Sequence, residues 1–300
     1  MEKNKKFKSG FVSIIGRPNA GKSTLMNQLI GCKVAIVSDK PQTTRNRIHG
    51  ILTKDEYQIV FLDTPGIHKP KHLLGEQMVR AAWAAVRDVD YIIYIIDISV
   101  AIGTGDKFLM EEVKNVKGPK ILVLNKIDQL EPQAVQEKIM MLQEATGIEK
   151  VIAISALTGE GVDSLLKCLV DELPEGPQYY PEDMVTDQPE RLVVAEMVRE
   201  KVLLLTKDEV PHSIAVYTEK MEMMPNDVME IHATIYVERD SQKGIVIGKN
   251  GQMLKKVGEQ ARMDMEKMLG NKVFLQLWVK ERKNWREKQY DLTDLGFIEK

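Results

Sequence analysis

The chain has two cysteines in 300 residues, Cys32 and Cys168, too few for a disulfide framework or a cysteine-built zinc cluster. That usage points to a reducing compartment. Long apolar runs are also missing. None exceeds six residues, the length of the stretch 91–96, against the roughly 18 that a membrane span requires. Lys3, Lys5, Lys6 and Lys8 crowd the start, but no apolar region follows them, so a secretory signal is not expected. Aromatic residues make up only 6% and the net charge is only −2, which alone gives no reason to expect nucleic acid as a partner. A soluble cytoplasmic protein is expected, as a monomer.

What is there is ordinary core material, 43% hydrophobic and 29% charged residues, in a chain long enough for about two domains of roughly 100–200 residues each. The charge is unevenly distributed. Residues 1–180 carry +1, residues 181–238 carry −8 and residues 239–288 carry +7. A short basic stretch beside an acidic one suggests one positive surface, although a solvated Lys/Arg face fits the charge alone equally well.

From residue 11 to 173 short Ile/Val-rich runs (11–15, 59–62, 91–96, 121–124, 151–154) alternate with amphipathic stretches (22–30, 74–86, 107–114, 134–146, 162–173). The first set reads as buried strands and the second as helices. Their alternation predicts a mostly parallel, doubly wound sheet covered on both faces. Residues 45–62 suggest an antiparallel pair turning at Lys54-Asp55-Glu56. A Pro-rich stretch from Pro174 to Pro189 predicts a linker, because proline cannot continue a helix. The expected domains are therefore 1–175 and 191–300, joined by 176–190. The second is α+β, in the order helix (191–205), two strands (214–217, 228–237), two helices (243–247, 252–269) and a strand (273–279). On the second of these strands Ile231, Ala233, Ile235 and Val237 share one face, and His232, Thr234 and Tyr236 the other.

Gly16-Arg17-Pro18-Asn19-Ala20-Gly21-Lys22-Ser23 fits the phosphate-loop pattern G-x-x-x-x-G-K-S between the first strand and a helix, the context that pattern needs. Its backbone N–H groups and the helix start can cradle phosphates. Lys22 is expected to bridge the β- and γ-phosphates and the Ser23 hydroxyl to ligate Mg²⁺. Asp63-Thr64-Pro65-Gly66 closes another strand, offering Asp63 to Mg²⁺ through water and the Gly66 N–H to the γ-phosphate. Asn125-Lys126-Ile127-Asp128 follows a third strand. The Asp128 carboxylate can accept from guanine N1–H and the 2-amino group, donors that adenine lacks there, so the site discriminates strongly. Asn125 would brace the site and Lys126 would lie along the base. Ser155 and Ala156, after the last strand, are expected to direct backbone N–H groups at guanine O6. Four such motifs in order, each at the carboxyl end of a strand, indicate a GTP/GDP site.

With these motifs the chain resembles the translation-factor-like class of P-loop GTPases and, within it, the Era family, over nearly its whole length. The resemblance takes in Gln42-Thr43-Thr44-Arg45 and implies a switch threonine that closes on Mg²⁺, Thr44 or, one residue earlier, Thr43. The position after Gly66 is Ile67, where Ras-like enzymes carry a water-orienting glutamine, so intrinsic hydrolysis is expected to be slow, on the order of 10⁻⁴–10⁻² s⁻¹. Asn19 resembles the asparagine that binds K⁺ in cation-dependent relatives; a plain turn residue is the other reading.

Gly248-Lys249-Asn250-Gly251, between two expected helices, resembles the Gly-x-x-Gly loop of a KH domain, and the order of elements fits the type II arrangement. Such a loop admits phosphates beside a groove for about four unpaired nucleotides. Lys249 and Lys256 are expected at phosphates of single-stranded RNA, with Ile245 and Ile247 lining the groove. Trp285, in the basic tail, offers a stacking surface or a core anchor. The Era resemblance implies binding to the 3′ end of 16S ribosomal RNA, a role on the small ribosomal subunit and peripheral contact with the inner face of the membrane. A GTP-dependent adaptor for a protein or membrane partner is the alternative. His68 and His72 bracket Lys69, Pro70 and Lys71, a mobile-loop composition rather than a metal site.

Overall fold

The computed structural model describes residues 6–38, 40, 43–45, 48–67, 72–86, 89–207 and 210–298. The chain divides into two units. One comprises Met1–Ala35, Thr44–Pro70 and Met78–Asp187, the other Ile36–Thr43, Lys71–Gln77 and Gln188–Lys300.

The first stretch of chain runs β1 (Lys8–Ile15), α1 (Lys22–Ile30), β2 (Ile48–Lys54), β3 (Tyr57–Asp63), α2 (Leu73–Ala84), β4 (Tyr91–Asp97), α3 (Thr104–Asn115), β5 (Lys120–Asn125), α4 (Pro132–Thr146), β6 (Val151–Ile154) and α5 (Val162–Glu172). The sheet order is β2-β3-β1-β4-β5-β6, parallel except where β2 pairs antiparallel with β3 through Lys54↔Tyr57. Alternation along β4 and β5 explains why both faces are covered. Ile93, Ile95, Ile121 and Val123 pack with Leu25 and Met26 of α1 and with Leu165 and Leu169 of α5. Ile92, Tyr94, Ile96, Leu122 and Leu124 pack on the other side with Leu109 and Val113 of α3 and Leu142 of α4. A run such as 91–96 carries no polar alternation because neither face meets water.

The Pro-rich stretch does not hang free as a linker. The Tyr179 and Tyr180 N–H groups donate to Gln58 Oε1, while Gln58 Nε2 donates to the Tyr180 carbonyl. The Ile51 N–H donates to the Val185 carbonyl, and His49 pairs with Asp187. Proline stops helices but does not prevent an extended strap from covering the exposed edge strand β2, which leaves that edge unavailable for pairing.

The second unit continues with α6 (Glu190–Leu205), α7 (Val210–Ser213), β7 (Ala215–Met223), β8 (Val228–Val237), α8 (Asp240–Ile247), α9 (Gln252–Leu269), β9 (Lys272–Glu281) and α10 (Gln289–Asp294). β7 pairs antiparallel and β9 parallel with the central β8. Ile231, Ile235 and Val237 of β8 pack against Val194 and Val198 of α6 and Val257, Ala261 and Met265 of α9. β7 runs well beyond the expected 214–217, because a bulge between Thr218 and Lys220 breaks the two-residue alternation. The polar face of β8 is less open than the pattern suggests. Thr234 is fully buried and donates to Glu219 at 2.8 Å.

Candidate functional site

β1 ends at Ile15 and α1 begins at Lys22, so Gly16, Arg17, Pro18, Asn19, Ala20 and Gly21 turn over the carboxyl edge of the sheet. Asn19 adopts a left-handed backbone, φ 65, with its side chain exposed. Asparagine tolerates that conformation better than most residues. The Lys22 ammonium is buried beneath the loop and donates to the Gly16 and Arg17 carbonyls at 3.1 and 2.8 Å. Burial pushes its pKa down to about 8, against the pull of Asp63. A buried cation held by neutral carbonyls is under-compensated, and a phosphate beside it supplies the missing charge. Arg17 turns to Asp106 instead, with Nη1 and Oδ2 2.5 Å apart.

Ser23, Thr44 and Asp63 converge. The Ser23 hydroxyl donates to Asp63 Oδ2 at 2.6 Å and lies 2.9 Å from Thr44 Oγ1, which donates to the same carboxylate oxygen at 3.2 Å. Thr43 points elsewhere, donating to the Lys40 carbonyl at 2.6 Å. The two neighbouring threonines thus do different work, and it is Thr44 that meets Ser23. Gln42 lies outside the described residues. Burial pushes the Asp63 carboxyl upward, while Lys22 and the two hydroxyls hold it down. Its Oδ1 is buried with no hydrogen-bond partner. Two hydroxyls and a carboxylate are the all-oxygen set of a hard divalent cation, and a cation would satisfy that unpaired oxygen. The residues fit Mg²⁺.

The other members of the aspartate motif support this corner. Thr64, buried, donates its hydroxyl to the Ile14 carbonyl at 2.8 Å, and Pro65 is buried beside it. A Cβ on Gly66 would stand 2.5 Å from the Pro18 nitrogen, so only glycine lets these two loops approach. Ile67 is 5% exposed and belongs to the apolar core. It has no polar atom with which to orient water.

On the base side Asn125 is 2% exposed and bridges two loops. Its Nδ2 donates to the Ala20 carbonyl at 2.8 Å and its Oδ1 accepts from the Ala156 N–H at 2.9 Å. This changes the expectation for Ser155 and Ala156. The Ser155 N–H donates to the Glu160 carbonyl and the Ala156 N–H to Asn125, so both amides are engaged within the protein instead of being aimed at O6. The 155–160 turn must close on itself, and it uses the first of these donors to do so. Lys126, in a left-handed conformation, pairs with Asp97 at 2.6 Å. The motif pattern did not single out Asp97; its place at the end of β4 was the available signal. Ile127 packs against the core, and Asp128 is exposed at the adjoining turn.

In the second unit α8 ends at Gly248, where a Cβ would lie 2.6 Å from the Met253 Cβ. Lys249 and Asn250 follow, both exposed, then Gly251 at the start of α9. Asn250 and Gly251 are both left-handed. A groove of about 480 Å³ opens between α9 and β9, floored by Leu254, Gly258, Leu275 and Leu277 and flanked by Lys255, Glu259 and Arg262. Ile245 and Ile247 do not line this groove. Ile247 packs into the core and Ile245 is 51% exposed, because residues two positions apart on α8 point about 200° apart. Lys256 is exposed on α9. Trp285 is fully buried, donates Nε1–H to the Ser213 carbonyl at 2.9 Å and stacks on Phe297, so it anchors the tail. Arg282 pairs with Asp291 and Asp294, and Arg286 with Glu238; much of the tail's positive charge is therefore internally balanced. His72 accepts from the Gly75 N–H, and His68 lies outside the described residues. Among the described residues no group of three or more His, Cys, Asp or Glu could hold a metal ion.

Comparison with known proteins follows these two regions. A family described as 50S ribosome-binding GTPase matches residues 11–126, and the KH domain family matches residues 209–286. The chain is 54% identical to GTPase Era of Alkaliphilus metalliredigens over 97% of its own length and 99% of that protein. It is 53% identical to GTPase Era of Staphylococcus haemolyticus over 97% and 98%. Among solved structures, an Aquifex aeolicus Era variant bound to GDP·AlF₄⁻ superposes with a TM-score of 0.94 at 40% identity, covering 97% of this chain and all 100% of that one. A structure of Era with MgGDPNP and nucleotides 1506–1542 of 16S ribosomal RNA superposes with a TM-score of 0.94 at 41% identity, covering 97% and 99%.

Proposed function

The chain belongs to the Era family of GTPases, and from that membership we propose a GTP-switched RNA-binding protein that acts in assembly of the small ribosomal subunit and maturation of 16S ribosomal RNA. It hydrolyses GTP to GDP and phosphate. The single observation that carries the switch is the convergence of Ser23, Thr44 and Asp63 beside the phosphate loop. These three would hold Mg²⁺, which when bound neutralises charge on the β- and γ-phosphate oxygens. Lys22 serves the same phosphates and the Gly66 N–H reaches the γ-phosphate. Asp128 reads guanine, Asn125 braces the base side and Lys126 lies along the base. Ile67 offers nothing to the attacking water, so turnover without help is slow. K⁺ at Asn19 is one source of such help.

RNA is assigned to the second unit. A relative is seen with nucleotides 1506–1542 of 16S ribosomal RNA, and this chain, within its KH match, carries the loop Gly248 to Gly251 beside a groove lined by Gly251, Lys255 and Arg262. Lys249 and Lys256 supply phosphate contacts. The working division is a GTPase domain over 1–175 and an RNA-binding domain over 191–300. Work in the cytoplasm, with peripheral contact at the inner membrane face, completes the proposal; cosedimentation with anionic vesicles tests that last part. Among the described residues no helix is long and apolar enough to cross a membrane.

The test of the RNA assignment is retention of an oligoribonucleotide carrying the 16S 3′-end sequence. The double substitution Lys249→Glu with Lys256→Glu should abolish it. For the unmodified chain, retention should fall with salt at a log–log slope near −3, as about four phosphate contacts to a single strand require. Unchanged retention in the double variant would contradict the assignment, and a flat salt dependence would favour the adaptor reading.

A further inference from the structure

The phosphate loop is held at both of its arms, by different means. At the far arm the Ala20 carbonyl accepts the Asn125 amide at 2.8 Å. At the near arm the Arg17 side chain leaves the loop for the first turn of α3, where its Nη1 donates to Asp106 Oδ2 at 2.5 Å. The same carboxylate oxygen accepts the Gly103 N–H at 2.9 Å, the backbone cap that a carboxylate at the third position of a helix supplies. A Cβ on Gly105 would stand 3.1 Å from Arg17 Nε, so the guanidinium lies close over that turn. Neither residue needs the other for its local structure. Asp106 already caps α3, and the Arg17 side chain, 42% exposed, could stay in water, where an ion pair gains little. What the pairing does fix is the Arg17 backbone. Its carbonyl accepts the Lys22 ammonium at 2.8 Å and the Ala20 N–H at 3.3 Å.

We propose that Arg17 and Asp106 are positioning residues for the phosphate loop: their pair holds the near arm against α3, and the Arg17 carbonyl thereby keeps the Lys22 ammonium where the β-phosphate binds. The guanidinium and the carbonyl belong to one residue, so anchoring the side chain restrains the acceptor of Lys22. A loop already in place before the nucleotide arrives loses less freedom on binding, which strengthens the complex. The Asp106 side chain is only 11% exposed, so the pair keeps part of the strength of a charge-assisted hydrogen bond. Everything the pair touches lies in one unit, within Met1–Ala35 and Met78–Asp187. The assignment rests on residues 16–23 being the phosphate loop of the proposed function.

The experiment uses the full chain with Arg17→Met, Arg17→Lys, Asp106→Asn, the double variant Arg17→Met with Asp106→Asn, and Lys22→Ala as reference. Three quantities are measured for each: GDP affinity, hydrogen exchange of the peptide spanning residues 16–23 without nucleotide, and the urea midpoint of the transition that GDP shifts. Arg17→Met should weaken GDP binding about fivefold and speed exchange of that peptide by a similar factor, the weight of a partly exposed charge-assisted hydrogen bond. Asp106→Asn keeps an oxygen for the Gly103 N–H, and so the cap of α3, but loses the charge; it should do the same. Because the two residues act as a unit, the double variant should be no weaker than either single one. Arg17→Lys keeps the charge and a donor without the planar fork and should recover part of the loss. If Asp106→Asn fails to fold, Arg17→Met and Arg17→Lys decide by themselves. Unchanged GDP affinity and exchange, or single effects that add in the double variant, overturn the pair's role. A loss confined to the urea midpoint overturns it too, since that is all a merely structural pair would show. If Lys22→Ala also leaves GDP affinity unchanged, the phosphate-loop reading itself is wrong; if it weakens GDP binding and the pair variants do not, only the pair's role is.

Discussion

Asn125→Ala isolates the brace between the phosphate loop and the base-side turn. The amide is 2% exposed and serves two backbone groups, the Ala20 carbonyl and the Ala156 N–H, at 2.8 and 2.9 Å. Ala20 and Ala156 are themselves 2% exposed, so water cannot replace the lost partners. Each buried group left unpaired costs about 1–3 kcal/mol, which makes about 2–6 kcal/mol for the pair. Against a typical domain stability of about 5–15 kcal/mol this is a large fraction. The assay is urea unfolding of the transition that GDP shifts, since a ligand that binds only the folded state identifies the unit it belongs to. GDP affinity should fall with stability, because both loops lose their mutual support. Asn125→Asp sharpens the test. It keeps an acceptor for Ala156 but sets a carboxylate oxygen against the Ala20 carbonyl. It should cost more than alanine at pH 7 and less at pH 4, where protonation restores a donor. A loss below about 0.5 kcal/mol in Asn125→Ala, with GDP affinity unchanged, would refute the reasoning.

Other consequences can be measured as directly. Gln58 is fully buried and holds the strap through Tyr179 and Tyr180, so Gln58→Leu should make proteolysis within 176–187 at least about tenfold faster, a gain in local opening that a globally stable protein would show only there. Lys22 sits near pKa 8 without nucleotide because burial disfavours its charge. Phosphate restores that charge, so binding takes up a proton only above this pH. GDP affinity should be flat from pH 6.5 to 7.5 and fall by up to about tenfold per unit above 8, and a constant affinity through pH 9 would show that Lys22 keeps its proton regardless. If K⁺ acts through Asn19, turnover should exceed that in Na⁺, and Asn19→Ala should erase the difference; equal rates in the two salts exclude the ion.

The nucleotide motifs could be read in the sequence because each is contiguous and lies where a strand of Ile and Val ends. Asp63 and Asn125 stand at the last residues of β3 and β5 for that reason. The two hydrogen bonds of Asn125 were not legible, since Ala20 and Ala156 are 105 and 31 residues away. Asp97 belongs to no motif, and only its place at the end of β4 marked it. Thr43 and Thr44 are chemically identical in the sequence, and only the backbone turn decides which hydroxyl faces Ser23. In the second unit the loop Gly248 to Gly251 was legible from its glycines, whereas the groove floor was not. Leu254, Leu275 and Leu277 look like core residues in any periodicity argument, yet they are only partly buried and line the groove between α9 and β9. Trp285 shows the reverse. A tryptophan among Lys and Arg suggests stacking on bases, but its indole N–H found a carbonyl and its ring found Phe297.

The central claim is that the state of the phosphate site governs the hold on RNA. The most direct measurement is the affinity of the full chain for the 16S 3′-end oligoribonucleotide at one Mg²⁺ and salt concentration, first with GDP and then with a non-hydrolysable GTP analogue. A switch predicts a difference of about tenfold or more between the two states, removed by Thr44→Ala. Equal affinities with both nucleotides would contradict it.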